Sequence, residues 1–200
     1  MAKVKIFNIA LVSAFVFLLS LTMLGFSASC EEMYDGIIRI RILANSDSKD
    51  DQELKLKVRD AVLKVSENLF SDAQNYEDAL ISAQNDIEKL KETACNTVIS
   101  NGYDYTVSAE LRDEFFDTRA YDGFTLPAGT YKTAVFTIGD GEGENWWCVL
   151  FPKVCVGACS GRLNDTLSDT STEYAENSQK YVVKFKTVEI FQKIKKLFDF

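Results

Sequence analysis

Residues 6–26 run without a single charge, behind a short start that carries Lys3 and Lys5. An apolar stretch of this length without an amphipathic stripe is not one face of a buried core helix. A basic start, an apolar run and then Ser27-Ala28-Ser29 have the form of an export signal. The run also matches the roughly 20 apolar residues that a helix needs to cross a bilayer, so an uncleaved anchor is equally open. Lysines lie only on its N-terminal side, which places the rest of the chain outside the cytoplasm in either case. Ser27-Ala28-Ser29-Cys30 also resembles a lipoprotein box, leaving lipidation at Cys30 as a third fate. Residues 1–29 are read as export signal or membrane anchor.

The 200 residues include no histidine, which excludes Ser-His-Asp and Cys-His pairs and every His-ligated metal site. The net charge of −8 argues against nucleic acid as a partner, since phosphate neutralisation needs a basic surface. That charge is polarised: from Lys180 onward lysines dominate, opposed only by Glu189 and Asp199. Of the five cysteines, Cys30 sits at the processing boundary, and an exported context permits the other four to form disulfides.

Beyond the leader, residues 37–43 alternate, with Ile38, Ile40 and Ile42 on one face and Arg39 and Arg41 on the other, predicting a strand with one buried side. Ser48 and Asp51 form a capping box for a helix over 49–69. Asn75 and Asp78 repeat the signal for a second helix, which Asn101-Gly102 ends; the short loop between predicts an antiparallel helical hairpin. A strand follows over 103–111. Strands at 131–138 and 146–151 flank Gly139-Asp140-Gly141-Glu142-Gly143, which predicts a β-hairpin. Residues 157–180 are almost wholly polar and read as a mobile loop, followed by a closing strand over 181–186 and an amphipathic helix to the C-terminus. The fold class is α+β, a mostly antiparallel sheet packed against the helical hairpin and the C-terminal helix, with residues 31–156 as its main body.

Several features suggest chemistry and then fail on detail. The glycine run lacks the Lys-Ser/Thr of a phosphate loop, and Asp140 and Glu142 would repel phosphate. The stretch from Asn45 has Asp50 and Leu56 where a calcium loop demands glycine and glutamate. Asp117-Thr118-Arg119 and Asp169-Thr170-Ser171 lack the glycine of an aspartic protease. There is no Cys-x-x-Cys. Cys148 and Cys155, separated by the chain-turning Pro152, are the candidate disulfide, with Cys95 and Cys159 as other possible partners. No cofactor or metal is expected. Trp146 and Trp147 point to opposite faces of one strand, so one is free to be core while the other meets a partner.

Two stretches go beyond patterning. Ile38-Arg39-Ile40-Arg41-Ile42-Leu43-Ala44-Asn45-Ser46-Asp47-Ser48, continuing through Asp51-Gln52-Glu53-Leu54-Lys55 to Val62, resembles the opening signature of the stage II sporulation protein R family. Leu126-Pro127-Ala128-Gly129-Thr130-Tyr131 and Asn145-Trp146-Trp147-Cys148-Val149-Leu150-Phe151-Pro152 resemble its second signature. The family usually continues Pro-Pro-Leu-Cys, where this chain has Pro152-Lys153-Val154-Cys155. The resemblance implies a signalling protein of endospore formation, made in the forespore and exported into the space between forespore and mother cell. There it would trigger a membrane-embedded aspartic protease of the mother-cell membrane that processes the sigma-E precursor.

The resulting expectation is signalling by contact rather than catalysis. The candidate partner-binding residues are Asn45, Asp47, Arg59, Trp146 and Trp147, with the polar residues giving direction and a tryptophan the apolar anchor. The N-terminal segment is a possible membrane contact. An exported enzyme with a cysteine or carboxylate site, or a structural surface lipoprotein, are the alternatives.

Overall fold

A computed structural model of the chain describes residues 2–121, 123–152, 163 and 166–198, with the backbone alone at 2–5, 16, 19 and 198. It is α+β and divides into two compact units, one of Met1–Met33, Asp117–Gly129 and Ser168–Phe200, the other of Tyr34–Phe116 and Thr130–Leu167.

The second unit is built on β1 (Ile38–Leu43), α2 (Lys49–Leu69), α3 (Tyr76–Ser100), β2 (Val107–Phe116), β5 (Gly129–Ile138) and β6 (Asn145–Phe151). Its helices start where the sequence says they should. The Ser48 hydroxyl accepts from the Asp51 N–H at 3.1 Å, and the Asn75 amide oxygen from the Asp78 N–H at 2.9 Å. Each satisfies a donor that the first helical turn leaves open. Leu54, Val58 and Val62 of α2 and Leu90, Ala94 and Val98 of α3 are buried, as are Ile38, Ile40 and Ile42 of β1, against which both helices pack. Each fully buried isoleucine contributes about 1.5–3 kcal/mol.

The sheet order is β2-β5-β1-β6, and the sheet is mixed. β1 runs parallel to β5, with Ile40 opposite Ala134, and antiparallel to β6, with Ile42 opposite Trp146. The expected hairpin of β5 and β6 is therefore corrected: β1 lies between them. The first strand is fully apolar on one side and can use both of its edges, so it takes the central place. A second correction concerns its other side. Arg39 is wholly buried, its guanidinium 3.6 Å above the Phe116 ring and 5.0 Å from that of Tyr131. Aromatic faces accept a cation that strand alternation alone assigns to water. β2 begins after Tyr103 and Tyr105, whose rings stack at 5.4 Å.

The first unit holds α1 (Ala2–Gly36), the two-residue strands β3 (Arg119–Ala120) and β4 (Thr125–Leu126), α4 (Asp169–Glu176) and α5 (Val182–Phe198). Helix α1 does not stop at 29. It continues to Gly36, and its character changes: Ile6 to Leu24 includes a long series of exposed apolar side chains, whereas Phe26, Cys30 and Met33 are buried. The Phe26 ring meets Tyr174 and Phe185 edge-on, both at 5.0 Å. Glu32 accepts from the Ser168 N–H and from the hydroxyls of Ser168 and Ser171, placing a carboxylate at the start of α4 where the helix dipole favours it. Burial opposes these bonds, and together they hold Glu32 below its ordinary pKa.

Two segment readings are overturned here. Residues 169–180, expected as mobile loop, are α4 followed by a turn of 3-10 helix. Ser171, Thr172 and Ala175 are buried, so a stripe of small side chains does the packing that larger apolar residues usually signal. The expected strand over 181–186 is the start of α5. Its buried residues are Phe185 and Val188, a helical spacing. The rest of the expected loop falls largely outside the described residues.

Cys30 and Cys95 are thiols outside any disulfide. Cys148 is buried on β6 and is disulfide-bonded. Cys155, its expected partner, lies outside the described residues.

Candidate functional site

Because β1 separates β5 from β6, the glycine turn joining them must pass over the end of β1. It does so at close range. The Gly143 N–H donates to the Ala44 carbonyl at 3.0 Å and the Glu142 N–H to the Asn45 carbonyl at 3.1 Å. The Asn45 side-chain oxygen accepts from the Asp140 N–H at 3.0 Å, and the Asp47 carboxylate accepts from the Glu144 N–H at 2.6 Å. Two glycines make the approach possible. A Cβ at Gly143 would lie 2.2 Å from the Ser46 carbonyl oxygen. At Gly139, where φ is +57°, it would lie 2.2 Å from the Asn45 side-chain oxygen. The run that looked like a hairpin loop is a clasp closed on the strand–helix junction.

Asp51 is the centre of that junction. Its carboxylate accepts from Asn45 Nδ2 at 2.9 Å and Ser46 Oγ at 2.6 Å, and it is also bonded to Tyr105 and Ser48. Burial pushes the carboxyl up, but these bonds outweigh it and hold Asp51 below its ordinary value. The same bond, after burial, raises the Tyr105 hydroxyl. Beside it, Gln52 donates to the Ser46 carbonyl at 2.9 Å. The buried Lys55 ammonium donates to Gln52 at 2.5 Å and to the Glu144 carbonyl at 2.8 Å. Burial lowers the Lys55 pKa, while the charges of Glu144 and Asp47 oppose that fall.

The five candidate residues divide by position. Asn45 and Asp47 are occupied in the clasp. Trp146 and Arg59 come together, with the guanidinium 5.3 Å from the indole ring and held by Asp60 at 2.7 Å. Trp147 pairs with Arg41 and so lies on the other face of the sheet; both tryptophans are half-buried. Sequence reasoning passed over Gln52, Lys55 and Tyr105 as site residues. Gln52 and Lys55 lie within the first signature, which was their one available signal.

The first signature and the block of the second that starts at Asn145 thus meet at the C-terminal end of β1. Residues 34–160, starting where the second unit starts, match the family model for stage II sporulation protein R. The chain belongs to this family. Membership gives it a role in sporulation. Stage II sporulation protein R of Bacillus subtilis (strain 168) is 40% identical over 121 residues, which cover 60% of this chain and 54% of that protein. The match thus spans about half the length of the relative. No solved structure matches the chain.

Proposed function

We propose that this protein is an exported signal of endospore formation that works by contact. It engages a membrane-embedded aspartic protease of the mother-cell membrane and so sets off processing of the sigma-E precursor, without catalysing a reaction itself. The observation that carries this reading is the meeting of the first signature with the Asn145–Phe151 block of the second at one clasp. That clasp presents the half-buried Trp146, with Arg59 over its ring, on a rigid strand edge. Aromatic and arginine side chains are the residues that most often anchor protein contacts. Asn45 and Asp47 act from beneath, by fixing the turn that carries the tryptophans.

The test is co-expression with the candidate protease and its pro-sigma-E substrate in a non-sporulating host. Trp146→Ala and Arg59→Ala are expected to abolish processing while the melting temperature stays near that of the parent. Asp47→Ala is expected to lower both. If every variant that fails to signal is also unfolded or degraded, the contact surface is not here.

The pairing of Cys148 with Cys155 belongs to the same proposal. It is supported by the bonded state of Cys148 and by the thiols at Cys30 and Cys95. So small a loop would stabilise by roughly 2–3 kcal/mol on chain-entropy grounds. Mass mapping of the non-reduced protein should return a Cys148–Cys155 peptide pair; a Cys148–Cys159 pair would refute it.

A further inference from the structure

We infer that α5 is a second membrane-contacting element, whose exposed apolar face beds into the headgroup–acyl boundary of an anionic bilayer beside α1. This rests on reading α1 as a membrane anchor; it is the one described helix long and apolar enough to cross a bilayer.

The buried side of α5 is marked by Phe185 and Val188. At about 100° per residue, Val183, Ile190, Ile194 and Leu197 fall together on the opposite side. All four are exposed, Val183 and Leu197 to nearly four-fifths. Lys186 and Lys193 border this stripe on one edge, both within reach of Glu189, while Lys184 turns back over the Phe26, Tyr174 and Tyr181 rings. An exposed apolar stripe edged by lysine is the pattern of a helix lying in a membrane interface, where the long stems let ammonium groups reach phosphate.

What identifies the occupant as lipid is the neighbour. An apolar groove of about 530 Å³ between α1 and α5 is walled by Met23, Leu24, Val188 and Phe191. The apolar surface of α5 therefore continues directly into that of α1, whose Leu21 and Leu24 are exposed. A bilayer that receives α1 is brought to the stripe of α5 without any further partner. The lysine edge matches anionic headgroups, each basic residue strengthening attraction to such a surface roughly fivefold.

The experiment uses the full chain reconstituted in vesicles of phosphatidylcholine and phosphatidylglycerol that carry a photoactivatable acyl chain, with adducts located by mass spectrometry. Adducts are expected on α1 and on α5 over 190–197. Ile190→Asp/Ile194→Asp, and separately Leu197→Asp, should cut the α5 adducts about tenfold while leaving those on α1, because an acidic residue is strongly disfavoured in the acyl region. Circular dichroism must show the helix content retained. Vesicles of phosphatidylcholine alone should also lower the α5 signal several-fold. Labelling of α1 without α5, or equal α5 labelling in neutral and anionic vesicles, overturns the inference. So do cross-links from the stripe to a second copy in place of lipid. Absence of adducts on α1 as well would instead remove the anchor reading on which it stands.

Discussion

Asp51 illustrates how one side chain serves two levels of organisation. Its N–H is taken by the Ser48 cap, which starts α2, while its carboxylate gathers Asn45, Ser46 and Tyr105 around the end of β1. Removing the carboxylate leaves the half-buried Asn45 and Ser46 donors without that acceptor, and a change of this kind costs about 1–3 kcal/mol. Asp51→Ala should lower stability by that amount in urea unfolding. The pH dependence has a defined sign. The folded-state pKa lies below the ordinary 3.8, so the stabilisation is complete above that value and is lost as pH falls through the folded-state value. The stability gap between the parent and Asp51→Asn should therefore narrow on acidification below 3.8. A gap independent of pH would show that the carboxylate charge is not what binds the junction.

Among the elements, the glycine turn carries the most specific demand. It must cross the end of β1 with its backbone in contact with Ser46, and a Cβ at Gly143 has no flexible side chain to displace, only the Ser46 carbonyl and the Ala44 Cβ. Gly143→Ala is expected to cost about 1–3 kcal/mol, as forced overpacking does. Because the turn leads into β6, the same change should weaken amide-exchange protection at Asn145 and Trp146 before it affects α3. Uniform loss of protection across both elements would argue that the turn is not a separate clasp. The periodicities of α2 and α3 were legible because each carries a capping residue and an apolar stripe of ordinary size. α4 was not, because Ser171, Thr172 and Ala175 pack through small side chains that a polar composition conceals. In α5, alternation over a few residues imitated a strand, and only the burial of Phe185 with Val188 resolves it as helix.

At the scale of the whole molecule, α1 joins a run that is exposed and apolar to a segment that is buried as part of a fold. Export is the expectation that governs every proposal above. A periplasmic-type reporter fused after Phe200 should be active, and a reporter that folds only in the cytoplasm inactive, when the chain is expressed in a bacterium. The reverse pattern would remove the intermembrane role, whatever the fate of the clasp.

The chain by itself determined its apolar N-terminal run, the helical hairpin, the strand identity of β1, and the two signature blocks, since each is encoded in neighbouring residues through spacing, caps and charge. It did not determine which strands adjoin. A turn of Gly-x-Gly-x-Gly between two strands is locally the same whether the strands pair or straddle a third. Only the tertiary structure decided that β1 lies between β5 and β6, because hydrogen bonding along both edges of an apolar strand is a property of the whole sheet. From that one decision follow the close approach of Gly143 to Ser46, the capture of Asn45 and Asp47 beneath the turn, and the pairing of Arg59 with Trp146.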